Sequence, residues 1–146
     1  MDEAARPDGG PVLNPVRSLE VLSFADAVRL LASATVGRVV FIAAALPTVV
    51  PVTFAVHGGA VVLRTSVDTR LAAAAAGNVL SLQADHVDPA AHTGWSVVVS
   101  GLSELVEDPR ERAVIRGLVH PWAPGQHEVY LRIPLTVVTG RRVAQD

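Results

Sequence analysis

The 146-residue chain contains no cysteine, which excludes disulfides, thiolate nucleophiles and zinc–thiolate centres. It contains no lysine either. All 12 basic residues are arginine, so no amine is available as a Schiff-base former or general base. Aromatic residues make up only 4%, with two tryptophans, Trp95 and Trp122, and one tyrosine. The net charge is −2, with acids and bases interspersed, so no basic stripe or tail points to nucleic acid. No positively charged segment followed by an apolar one marks a leader. The one membrane-like stretch, Val39 to Val56, carries no charge but is interrupted by Pro47 and Pro51 and is rich in β-branched residues, which suits two buried strands rather than a spanning helix. A cytoplasmic protein without a membrane or nucleic-acid partner is the expectation.

What the chain does have is apolar bulk: 50% hydrophobic residues against 18% charged. The length is that of one domain, large enough for its own core. The apolar excess is high for a soluble monomer, and a large interface between two copies accounts for it. Residues 1–18, rich in Pro, Gly and Asp, read as a flexible arm, and residues 19–146 as a single domain.

Periodicity supplies a coarse map. Ser23 caps a helix whose apolar residues recur at helical spacing from Phe24 to Ala34, with Gly37 as its stop. Strands are predicted over Arg38 to Leu46 and Val49 to Val56, with a turn at Pro47-Thr48. After a hairpin turn at His57-Gly58-Gly59 comes a strand over Ala60 to Thr65. Thr69 caps a short helix closed by Gly77, and a strand follows from Asn78 to Ala84. Beyond a loop from Val87 to Thr93, a long strand runs from Gly94 to Val106. Its apolar positions change parity after Gly101, which predicts a bulge or bend there. Pro109 opens a further helix, and two last strands flank Pro134. Hairpins dominate, so the prediction is a mainly β fold with flanking helices, mostly antiparallel and closed as a barrel.

Candidate chemistry is concentrated in Arg64-Thr65-Ser66-Val67-Asp68-Thr69-Arg70-Leu71. A strand ends and a helix begins there, bringing two guanidiniums, three hydroxyls and free backbone N–H groups close together in sequence. Phosphate is bound by such groups. The alternative is a solvated turn whose arginines pair with Asp68 or Asp85. The five histidines are scattered singly, without metal-ligand spacing. Ser96 lacks the GxSxG context of an esterase, and no GxGxxG or P-loop occurs. Neither a catalytic constellation nor a metal site is assigned. Each tryptophan either fills core or flanks a flat ring ligand.

The ordered set Val36-Gly37-Arg38-Val39-Val40, Val49 to Val56, Val62-Leu63-Arg64-Thr65, Thr69-Arg70-Leu71, Gly94 to Gly101 and Ile133 to Arg142 resembles the pyridoxamine 5′-phosphate oxidase-like, flavin-nucleotide-binding split-barrel proteins. The resemblance implies a split β-barrel, a homodimer and an FMN cofactor. Relatives that use a deazaflavin or haem, or that are non-catalytic carriers, are the alternatives. It also implies roles for residues. Arg64, Thr65, Ser66, Thr69, Arg70 and Leu71 would hold the FMN phosphate and ribityl chain, and Pro51, Val52 and Thr53 would lie against the ring. Trp95 and Ser96 would close the pocket, with Trp122 and Arg142 completing it from the second subunit. Many relatives carry Asn where Thr53 stands. The Thr53 hydroxyl, the only one between Val49 and Val56, therefore meets either the polar edge of the ring or a backbone carbonyl. The activity implied is an FMN-dependent oxidoreductase of unassigned substrate. The residues that bind the substrate phosphate in the true oxidase are not evident.

Overall fold

A computed structural model describes residues 17–75, 77–120 and 128–145. The chain runs β1 (Arg17–Val21), α1 (Phe24–Ser33), β2 (Val36–Ala43), β3 (Leu46–Thr53), β4 (Ala55–His57), β5 (Ala60–Ser66), α2 (Arg70–Ala75), β6 (Val79–Asp88), β7 (Thr93–Leu102), β8 (Glu104–Leu105), α3 (Pro109–Leu118), β9 (Glu128–Pro134) and β10 (Val137–Gln145). A six-stranded sheet has the order β1-β10-β7-β6-β2-β3, and a four-stranded sheet the order β4-β5-β9-β8. All pairings among the described residues are antiparallel. The two sheets enclose one core, with Val39, Leu63, Leu82, Val97, Leu131 and Ile133 fully buried between them. This is a split β-barrel. No helix in the described residues is long and apolar enough to cross a membrane.

Local chemistry explains the element ends. The Ser23 hydroxyl accepts the Asp26 N–H at 3.1 Å and starts α1, which buries Ala27 and Leu31. The helix stops at Ser33, earlier than predicted, and Gly37 belongs to β2. A Cβ at Gly37 would stand 2.8 Å from the Gln83 carbonyl and 3.1 Å from the Phe54 ring, so close approach is what requires glycine there. The turn between β2 and β3 is Ala44-Ala45, not Pro47-Thr48. Both alanines have positive φ, 50° and 63°, the left-handed pair that a two-residue hairpin needs. Alanine carries no turn signal, which is why the sequence misplaces it. Strand β6 continues to Asp88, whose carboxylate accepts the N–H groups of Ala90 and Ala91 and folds the hairpin tip. Strand β1, which pairs with β10 from Arg17↔Gln145 to Val21↔Arg141, takes in two residues of the predicted arm.

The expectation of a bulge or bend near Gly101 is met by a bend after β7, not by a bulge within it. Leu80↔Gly101 and Val79↔Leu102 continue the β6–β7 register. Gly101 is glycine because a Cβ there would stand 2.5 Å from the Pro134 carbonyl, where the two sheets meet. The corner comes at Ser103. Its N–H and hydroxyl both donate to the Asn78 carbonyl, at 2.9 and 3.0 Å, and its own carbonyl accepts the Gly77 N–H. The chain then changes sheet into β8.

The larger sheet has a second face, pointing away from the core. Ile42, Val49, Val79, Val87, Leu102 and Val137 stand on it, each between 54% and 65% exposed. They alternate along their strands with residues of the buried face, as the period of two requires.

Two glycines give opposite expectations. Gly101→Ala should cost about 1–3 kcal/mol, because backbone must move to admit the methyl group. Gly117→Ala, on the exposed part of α3 with nothing within 4 Å of the added Cβ, should stabilise by about 0.5–1 kcal/mol. Urea unfolding of both variants measures the difference. Equal midpoints would contradict the tight sheet contact at Gly101.

Candidate functional site

The two arginines of the 64–71 segment stand on different elements, Arg64 on β5 and Arg70 at the start of α2, and their side chains part company. Leu63 points into the barrel, and the Thr65 hydroxyl beside it meets the Thr69 hydroxyl at 2.9 Å. The Thr69 hydroxyl in turn donates to the Ser66 carbonyl at 2.8 Å and accepts the Ala72 N–H at 3.1 Å, capping α2. Thr65 and Thr69 are thus engaged in holding the loop. Leu71 is buried in the core. Ser66 and Arg70 remain half-buried and exposed respectively, and neither side chain makes a hydrogen bond or ion pair among the described residues.

Arg64 is placed differently from the sequence expectation. Its side chain, 11% exposed, turns toward α3 and is held by Glu128 on β9. Arg64 Nη2 donates to Glu128 Oε1 at 2.5 Å and to Oε2 at 2.6 Å, and Arg64 Nη1 donates to the Val119 carbonyl at 2.8 Å. Tyr130 donates to Glu128 Oε2 at 2.9 Å and accepts from Arg116 Nε at 3.1 Å. The guanidiniums of Arg64, Arg112 and Arg116 surround the Tyr130 ring at 5.5–5.7 Å from its centroid. Hydrogen bonds from Arg64 hold the Glu128 carboxyl below its ordinary value of 4.5, against the opposing effect of burial. Arg64 is therefore committed to the fold, and it does not converge with Arg70.

Arg70 opens onto a cleft of about 820 Å³ between α2 and the β2–β3 hairpin. Ile42, Leu46, Pro47, Val49, Ala73 and Ala74 give it apolar walls. Apolar walls with one exposed cation suit a flat ring bearing an anionic tail. The wall residues were not singled out from the sequence. The signal was present, since β2 and β3 carry apolar residues at both parities.

The other predicted residues lie elsewhere. Val52 is buried against the core, and Pro51 stands on the outer face opposite Arg38. The Thr53 hydroxyl donates to the His120 carbonyl at 2.6 Å, so its partner here is backbone. Thr53 is four residues along β3 from Val49, roughly 13 Å away at the rise of a strand. Trp95 and Ser96 line a second cleft, of about 440 Å³, together with Asp85, Asp88, His92 and Arg141 at the β6–β7 hairpin. Arg142 pairs with Glu20 of β1 at 2.8 Å. Trp122 lies outside the described residues.

Because β2 and β6 are antiparallel, with Arg38↔Gln83 and Val40↔Ser81 in register, the two clefts occupy opposite ends of one sheet. The Arg70 cleft is walled mainly by apolar residues, whereas the Trp95 cleft holds Arg141 together with Asp85 and Asp88.

Comparisons with known proteins agree with this architecture. The family model described as pyridoxamine 5′-phosphate oxidase matches residues 23–142. An uncharacterized protein of Mycobacterium tuberculosis is 42% identical over 126 residues, covering 83% of each chain. The structure of the FAD binding protein from Mycobacterium smegmatis superimposes with a TM-score of 0.70 at 30% identity, covering 84% of this chain and 95% of that one. The FAD and heme binding protein from Mycobacterium smegmatis, at 14% identity and a TM-score of 0.66 over 86% of this chain and 72% of that one, shares the fold.

The Arg64–Glu128 pair makes a pH prediction. A carboxyl held below its unfolded value contributes stability that is present above about pH 4.5 and is lost as the pH falls through the folded value. Glu128→Gln should cost about 2–3 kcal/mol at pH 7, since Arg64 stays largely enclosed without its counter-charge. That penalty should shrink as wild type and variant are compared at progressively lower pH, below 4.5. A penalty independent of pH would show that the charge of Glu128 contributes nothing.

Proposed function

The chain belongs to the pyridoxamine 5′-phosphate oxidase family, and from that membership we propose that it binds a flavin in the Arg70 cleft and acts as a flavin-dependent oxidoreductase. The observation that carries the proposal is the cleft itself, with apolar walls and a guanidinium that no acid of the described residues neutralises. Arg70 and the Ser66 hydroxyl would hold the ribityl phosphate, with Thr65 and Thr69 fixing the loop that presents them. Ile42, Leu46 and Val49 would cover one face of the ring and exclude water from it. A bound flavin supplies hydride and electron transfer, so the protein needs no acid–base constellation of its own. FMN and FAD share the phosphate that this reading uses. FMN is our first assignment. FAD is the alternative, because the relative of 30% identity is an FAD binding protein.

The working unit in this reading is a homodimer. Its support is the apolar outer face of the six-stranded sheet. Two copies packed face to face about a two-fold axis across the strands would set the Trp95 cleft of one against the Arg70 cleft of the other. An obligate interface of this kind covers about 2,000 Å² or more.

Titration with riboflavin, FMN and FAD separates phosphate recognition from folding. Arg70→Ala should weaken FMN and FAD by about 1.5–3 kcal/mol and leave riboflavin nearly unchanged. Equal losses for all three ligands would contradict a phosphate-binding role. Arg64→Ala, by contrast, should lower the unfolding midpoint without discriminating among the ligands.

A further inference from the structure

At the centre of the exposed sheet face, polar side chains replace the apolar ones. Arg38 of β2 donates through Nη1 to Gln83 Oε1 at 3.2 Å and stands 3.5 Å from Asp85 Oδ1. Gln83 Nε2 donates to Asp85 Oδ2 at 2.9 Å and to Ser96 Oγ at 3.3 Å, linking β6 to β7. Ser81 and Ser100 share a hydrogen bond of 2.7 Å one register step away. The apolar residues lie to either side: Val36 and Val87 toward one end of the strands, Ile42, Val49, Val79 and Leu102 toward the other.

A half-exposed ion pair at this separation contributes little within one subunit. The side chains of Arg38 and Asp85 remain 46% and 34% exposed. The fork of Arg38 has further donors, and each Asp85 oxygen has lone pairs to spare. Under a second copy both groups would lose water, and charges at the middle of an interface are depleted unless they are paired. A two-fold axis passes through the middle of the face it covers, so groups there meet their counterparts in the other copy. Arg38 against Arg38 or Asp85 against Asp85 would repel. Arg38 of each copy against Asp85 of the other is the favourable choice. The apolar flanks, mostly valine, leucine and isoleucine, do not by themselves choose one alignment of the two sheets.

We infer that Arg38 and Asp85 form the charge key of the homodimer, each Arg38 pairing with Asp85 of the partner copy and so fixing the alignment of the two sheets and, with it, the meeting of the two clefts. The inference rests on the dimer proposed above. It assigns to the pair recognition of a second copy of this chain.

Charge exchange between subunits tests it. In R38E the centre of the face carries two acids; in D85R it carries two bases. Each variant alone should dimerise at least about tenfold more weakly than wild type, because like charges face each other across the axis. An equimolar mixture of R38E and D85R should form heterodimer well above the statistical share of about one half. In that heterodimer the introduced acid of one chain faces the introduced base of the other, and the two unchanged residues, Asp85 of the first chain and Arg38 of the second, face each other likewise. Repulsion within each subunit persists in the mixture, so recovery reports only pairing between copies. R110E, which changes an exposed arginine of α3, the helix that packs on β5 of the four-stranded sheet, should give no recovery when mixed with D85R. Native mass spectrometry of differently tagged chains reads all the mixtures. Wild-type affinity in both single variants, a statistical mixture, or recovery with R110E would overturn the key while leaving the dimer intact. A wild-type protein that is monomeric at micromolar concentration would overturn both.

Discussion

In the six-stranded sheet, odd and even residues of each strand leave on opposite faces, and apolar side chains occupy both. One face is covered by the four-stranded sheet and α1, which leave Val39, Leu82, Val97 and Val99 without solvent contact. The other carries Ile42, Val49, Val79, Val87 and Val137 uncovered. At about 25 cal/mol per Å² of apolar surface, a face this broad is a strong driving force for association. The placement of the two clefts follows from the same sheet, since the antiparallel hairpins β2–β3 and β6–β7 close at opposite ends. The Arg70 cleft has no tryptophan among its described lining residues, and Trp95 stands with Arg141 in the other.

Arginine serves several purposes in this chain, and the element that carries each one decides which. Arg64 and Arg70 are six positions apart, yet one is locked to Glu128 and Tyr130 under α3 and the other opens onto the cleft. The Arg64 cluster also fixes the end of α3: Arg64 grips the Val119 carbonyl while Thr53 grips that of His120. These two bonds join β5 and β3 to the same point of the chain. Arg38 belongs to neither group. Its loose pairing with Asp85 at the surface leaves it available to a partner.

Much of the architecture was legible from pattern alone. The capping serine of α1, the Pro109 start of α3, the His57–Gly59 hairpin and the antiparallel barrel all rest on local rules that tertiary structure did not override. Glycine misled more often. Gly37 and Gly101 read as a helix stop and a bulge, but both are glycine because another strand's carbonyl comes too close for a Cβ. Such contacts join residues distant in sequence and leave no local trace. The Ala44-Ala45 turn was invisible because its left-handed backbone is occupied by residues that do not advertise it. The candidate site was legible in part. Of the 64–71 segment, Ser66 and Arg70 are left without a side-chain partner among the described residues, while Thr65 and Thr69 hold the loop. The pairing of Arg64 was not legible because its acid, Glu128, lies 64 residues away. The neighbours of Trp95 in the second cleft, Arg141 and Asp88, come together only through the β6–β7–β10 register.

The account stands on a flavin bound by paired copies of the chain, and sedimentation velocity with FMN or FAD present, followed at the visible absorbance of the flavin, tests that most directly. The flavin should travel with a species of twice the 15.3 kDa chain mass, at one flavin per subunit. A stable 15.3 kDa monomer, or flavin that stays behind while the protein sediments, would contradict it.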